Sequence, residues 1–144
     1  MNIYTIGFTK KNARTFFGLL RDSGAARLVD VRLNNVSQLA GFAKRDDLAF
    51  FVDELCGMDY RHVRELAPTQ DMLDDYKKHG ASWESYADRF LALMDERDIQ
   101  NSLDKQMLDN AVLLCSEPTA HQCHRRLVAE YLAAHWEDVT IIHL

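Results

Sequence analysis

Ala111-Val112-Leu113-Leu114-Cys115, followed by Ser116-Glu117-Pro118-Thr119-Ala120-His121-Gln122-Cys123-His124-Arg125, is the stretch whose reading decides the fold. Five consecutive apolar residues without alternation describe a strand covered on both faces, as in a parallel sheet with helices on either side. Thr119-Ala120-His121-Gln122 has the form of a capping box, which starts a helix at Ala120 and carries it over residues 120–135. Residues 139–144 then read as a closing strand, so the carboxyl-terminal third is strand, helix, strand.

The same alternation continues toward the amino terminus. Asn2-Ile3-Tyr4-Thr5-Ile6-Gly7 is a strand ending at glycine, Thr9 stands where an N-cap belongs, and residues 11–22 form an amphipathic helix stopped by Gly24. Arg27-Leu28-Val29-Asp30-Val31 is a second strand, residues 32–43 a loop, and residues 45–56 a helix closed by Gly57. Tyr60-Arg61-His62-Val63 gives a short third strand. A helical segment over residues 71–78, a long helix opened by Ser82 with Tyr86, Phe90, Leu91 and Met94 inward, and a short helix over residues 99–109 lead back to Ala111. The expected fold is α/β: one three-layer domain over residues 1–144, with a mostly parallel, Rossmann-like sheet flanked by helices.

Composition agrees. The chain has 144 residues, 47% apolar and 27% charged, with six glycines and two prolines, which excludes a disordered or low-complexity chain. No apolar run reaches the length of a membrane span and the chain opens directly on a strand pattern, so the expected compartment is the cytoplasm and no membrane partner is expected. Cys56, Cys115 and Cys123 are therefore expected as reduced thiols rather than a disulfide framework. The net charge of −5 argues against a nucleic-acid coat, although residues 1–64 carry +3 and residues 65–144 carry −8. Arg14, Arg21, Arg27, Arg32, Lys44, Arg45, Arg61 and Arg64 supply the early positive charge, either as one anion-attracting surface or as a solvated mixed-charge face.

In a parallel sheet the ligand crevice lies beyond the carboxyl ends of the strands. Gly7-Phe8-Thr9, Asp30-Val31-Arg32 and Cys115-Ser116-Glu117 all fall there. A helix start beside Cys115, Cys123, His124 and Arg125 favours an anion and lowers the pKa of a nearby thiol. Cys115 is the candidate nucleophile or redox thiol, with Glu117 and His124 for proton transfer or orientation. Arg32 and Arg125 are candidate anion ligands, with Cys123 beside them and Asp30 fixing Arg32, since alternation puts both side chains on one side of the strand. Structural alternatives stay open: Cys115 and Cys123 as core residues, and a clamp between Glu117 and His124 or Arg125. Cys56 has no charged or histidine cluster beside it and is left out of the site. No metal site is assigned; Cys115, Cys123 and His121 or His124 remain an alternative ligand set whose spacing lacks a Cys-x-x-Cys pair. The common dinucleotide, nucleoside-triphosphate, hydrolase-elbow and zincin motifs are absent, and the sixth residue after Cys115 is His121 rather than the Arg of a phosphatase loop.

Tyr4-Thr5-Ile6-Gly7, Leu28-Val29-Asp30-Val31-Arg32, Ser37, Phe42, Tyr60, Leu114-Cys115-Ser116-Glu117 and Cys123-His124-Arg125 together resemble the bacterial "domain of unknown function 488" family over essentially the whole chain. The stretch from Asn34 to Phe42 is similar to a Leu-Asn-Asn subgroup. The resemblance marks Asp30, Arg32, Cys115, Glu117, Cys123, His124 and Arg125, and it implies no assigned activity. Phe8 departs from the commoner family form, which carries His there. The expected function is a small enzyme with an anion- or nucleotide-type pocket that takes a phosphate-bearing small molecule, its cofactor open. The alternatives are a binding module that recognises nucleic acid or protein through residues 10–64, and a metal-dependent enzyme.

Overall fold

A computed structural model describes residues 1–36, 41–117 and 119–144. Ser37, one of the family-marking positions, and Pro118 lie outside them.

Five parallel strands form one sheet: β1 (Asn2–Gly7), β2 (Arg27–Asp30), β3 (Asp59–His62), β4 (Ala111–Cys115) and β5 (Thr140–His143), in the order β3-β2-β4-β1-β5. β4 lies between β2 and β1, and all five of its residues are buried. Side-chain alternation divides the core. Ile3, Val29, Ala111, Leu113 and Cys115 face one layer, while Ile6, Leu28, Val112 and Leu114 face the other. Helices α1 (Ala13–Ser23) and α2 (Arg45–Cys56) cover the second face through Phe16, Phe17, Leu20, Leu48 and Val52. The first is covered by α3 (Gln70–Lys77), α4 (Trp83–Glu96), α5 (Ile99–Ser102), α6 (Lys105–Leu108) and α7 (His124–His135).

The chain moves outward from β1 through β2 to β3, returns to place β4 inside, and continues past β1 to β5. This reversal opens a crevice beyond the carboxyl ends of β1, β2 and β4.

The helix ends show where local signals hold and where packing overrides them. Gly24 and Gly57 end α1 and α2 in the left-handed region, at φ of 70° and 63°. α1 begins at Ala13 and is capped by Asn12, whose side chain accepts from the Thr15 amide, rather than by Thr9. The Thr9 amide instead donates to the Ser116 carbonyl at 3.0 Å, holding the end of β1 to the loop after β4. Residues 99–109 form two short helices, because Leu103 and Asp104 are extended and Asp104 caps α6. α7 starts at His124 with Cys123 as N-cap, four residues beyond the capping-box expectation.

Candidate functional site

The end of β2 holds a buried charge network. Asp30 is fully buried, and its carboxylate accepts from Arg32 Nε at 2.8 Å, Arg32 Nη2 at 2.7 Å, the Arg32 amide at 3.1 Å and the Tyr60 hydroxyl at 2.6 Å. The Asn35 side-chain amide donates to the same tyrosine oxygen, and His62 Nε2 donates to the Arg32 carbonyl. The Arg32 guanidinium lies 5.3 Å from the centre of the Phe8 ring, so the residue that departs from the family pattern adds a cation–π contact. Arg32 Nη1 is buried and has no hydrogen-bond partner among the described residues.

The end of β4 is built differently. Cys115 and Cys123 are both buried and their sulfurs are bonded at 2.01 Å, so the two cysteines expected as separate thiols meet at one point. The cause lies in the intervening loop, which returns Cys123 to the strand end instead of carrying it up a helix. Two arginines hold that loop open: Arg125 Nη1 donates to the Glu117 carbonyl at 2.8 Å, and Arg126 Nη1 donates to the His121 carbonyl. A third condition is Gly7. A Cβ there would sit 1.5 Å from the Glu117 carbonyl oxygen, so only glycine lets the loop cross the end of β1.

Arg125 is almost wholly buried, and Nη1 also approaches Cys115 Sγ at 3.5 Å and Cys123 Sγ at 3.4 Å. Burial pushes its pKa down to about 10, which leaves it protonated at neutral pH. The expected contact of Glu117 with His124 is not made. Glu117 Oε1 accepts from Lys77 Nζ at 2.7 Å, while His124 Nε2 donates to the Val31 carbonyl at 2.7 Å. The Arg125–Glu117 clamp runs through the Glu117 carbonyl, not its carboxylate. Burial pushes the His124 pKa down to about 4, so the ring is neutral at pH 7 with a lone pair on Nδ1.

These groups meet at one cavity of about 310 Å³, lined by Arg32 just after β2, by Cys115 at the end of β4 with Ser116 and Glu117 after it, and by Cys123 and His124 at the start of α7. Cys123, the N-cap of α7, makes no side-chain capping bond. Tyr76, Lys77, Trp83 and Tyr86 complete the wall. The three aromatic rings contact one another at centroid distances of 5.0–5.8 Å, and Phe90 continues the series to His124. Sequence reading assigned Tyr86 and Phe90 to the core. The wall escaped it because Tyr76 and Trp83 sit on two helices joined by a turn, so no single periodicity links them; an aromatic cluster beside Lys77-Lys78 is the signal that was available.

Other expected groups lie elsewhere. Among the early basic residues, Arg21, Arg27, Arg45 and Arg61 pair with Asp22, Asp59, Asp46 and Asp59 respectively. Cys56 is a free thiol that donates to the Phe17 carbonyl at 3.5 Å, and burial pushes its pKa up. His121 is exposed and outside the group formed by Cys115, Cys123 and His124. No helix among the described residues is long and apolar enough to cross a membrane.

A parallel α/β protein with a cysteine- and histidine-lined pocket beyond its strand ends is the class this geometry defines. The chain belongs to the family described as Domain of unknown function DUF488, whose model matches residues 12–132. No curated protein and no solved structure matches the chain.

Proposed function

We propose that the protein is a small cytoplasmic enzyme that takes a compact, phosphate-bearing ring compound of nucleotide type into this cavity. Arg32 and the uncapped first turn of α7 receive the anionic group, and Tyr76, Trp83 and Tyr86 receive the ring. The chemistry belongs to the Cys115–Cys123–His124 group beneath them, which becomes reactive when the cytoplasm holds the two sulfurs as thiols. Glu117, held by Lys77 at the rim, is the proton acceptor, and Arg125 steadies both sulfurs from behind.

The observation that carries this reading is the Arg32 guanidinium, a buried cation with one nitrogen lacking a partner among the described residues, in the wall of a cavity large enough for a small ligand. Two features support it independently: the bare helix start and the stacked aromatic wall.

Calorimetric titration of the oxidised full chain with a nucleoside monophosphate, the matching nucleoside and inorganic phosphate tests it. The monophosphate should bind more tightly than either part, more weakly as salt rises, and at least about tenfold more weakly to Arg32→Lys, which cannot reproduce the planar fork. Absence of binding by all three at millimolar concentration would sink the reading. Salt-sensitive binding of single-stranded nucleic acid alone would replace it with the binding-module reading.

A further inference from the structure

We propose that the reduced form of Cys115 and Cys123, with His124, binds one thiophilic divalent cation of the zinc class at the floor of the cavity. The inference deepens the pocket reading, on which its role as a cofactor site rests. The binding site itself stands on three other observations.

First, the Cys115 and Cys123 sulfurs and a ring nitrogen of His124 lie within 4.8 Å of one another. A tetrahedral ion bound at about 2.3 Å to sulfur and about 2.0 Å to nitrogen holds its donors roughly 3.5–3.8 Å apart, so small side-chain rotations suffice. Second, the Cα atoms of the two cysteines are 7.5 Å apart, beyond the roughly 4.4–6.8 Å that a disulfide usually spans. Two thiolates separated by an ion fill that span readily. Third, the hydrogen bond from His124 Nε2 to the Val31 carbonyl fixes the tautomer whose Nδ1 carries the lone pair. A backbone carbonyl on the far nitrogen is the usual outer-shell partner of a metal-binding histidine.

Arg125 completes the surroundings. Its Nη1 lies within hydrogen-bond reach of both sulfurs and would donate to the thiolates from outside the coordination sphere. Its positive charge opposes a bare dication, but two thiolates neutralise the ion they hold. Three protein donors leave one tetrahedral position, and all three line the cavity, so that position belongs to water or to the pocket's ligand, as in a catalytic rather than a structural site.

The disulfide and the metal complex exclude each other. A phosphine reductant with one water opens the S–S bond, giving two thiols and the phosphine oxide; the cation then binds both sulfurs and releases two protons. A two-electron oxidant such as hydrogen peroxide, taking up two protons and leaving as two waters, rejoins the two thiolates as the S–S bond and expels the ion.

The test uses the full chain reduced with a phosphine, freed of reductant without oxygen, and titrated with Co²⁺, followed by competition between Zn²⁺ and a chromogenic chelator. One cobalt per chain is expected, with a thiolate-to-cobalt charge-transfer band and the visible absorption of a tetrahedral ion, and neither in the oxidised protein. Cys115→Ser and Cys123→Ser should each weaken the charge-transfer band, and the double variant should abolish it. His124→Gln should keep the band but loosen Zn²⁺ by more than about 100-fold, beyond the roughly 10–100-fold that loss of an outer-shell partner costs. His121→Ala should change nothing. Far-UV circular dichroism confirms that each variant is folded, and the reduced wild-type spectrum answers the question should a variant not fold. Reduced protein that binds no stoichiometric cobalt, or a folded double cysteine variant that still binds it, overturns the proposal. Cobalt binding without nucleotide binding would retain this site and overturn the pocket reading; nucleotide binding without cobalt would do the reverse.

Discussion

The ends of β2 and β4 lie side by side in the sheet and face one cavity, but they are assembled by different physics. At the end of β2, Asp30 and Arg32 are two residues apart, and strand alternation alone brings them to the same side. At the end of β4, Cys115 meets Cys123 across a loop whose path is set by Gly7 on another strand and by Arg125 and Arg126 on the helix that follows. The first arrangement is local and robust to errors in the rest of the fold. The second depends on one residue more than a hundred positions before Cys115, Gly7, and on two arginines just after Cys123, and each of the three constrains the loop.

The largest effect should therefore come from Gly7→Ala. The new methyl would overlap the Glu117 carbonyl, a backbone atom that cannot rotate aside, so the loop must move as a body. The Thr9–Ser116 and Arg125–Glu117 hydrogen bonds would go with it. We expect a loss of at least about 3 kcal/mol and a fall in Tm of roughly 10 °C, read by thermal denaturation. A Tm within a degree or two of wild type would mean that the loop does not cross β1 as described.

Asp30→Asn attacks the local arrangement. It keeps the shape but leaves the Arg32 charge buried without its carboxylate, a loss expected to cost about 3 kcal/mol in urea denaturation. Tyr60→Phe removes one neutral donor to the same carboxylate and should cost no more than about 1–2 kcal/mol. If the two variants proved equal, the network would be held by hydrogen bonding alone and the charge would contribute little.

This contrast also explains what the sequence disclosed. The apolar run of β4, the glycine stops of α1 and α2, and the Asp30–Arg32 pair each follow from a few neighbouring residues, and each was legible. The starts of α1 and α7 were misplaced for one shared reason. Thr9 and Thr119 are good caps by residue type, but the backbone around each is committed elsewhere, Thr9 to Ser116, and the segments before and after Thr119 to Arg125 (through Glu117) and Arg126 (through His121). The Lys77–Glu117 contact and the His124–Val31 hydrogen bond join residues distant in sequence, so no motif could display them, whereas the aromatic wall is split between two helices and left only its cluster beside Lys77-Lys78 as a trace.

The smallest predicted effect is the sharpest test of that explanation. If Thr119 capped a helix beginning at Ala120, Thr119→Ala would cost about 1 kcal/mol through the lost hydrogen bond to the first turn. Instead Thr119 is exposed, four residues ahead of the true N-cap Cys123, whose side chain makes no capping bond. The substitution should then change stability by less than about 0.5 kcal/mol, as at an ordinary surface position, with the urea midpoint and slope both near wild type. A loss near 1 kcal/mol would extend α7 back by a full turn. Cys123 would then rise along the helix, away from Cys115, and the two sulfurs could share neither a covalent bond nor a metal ion.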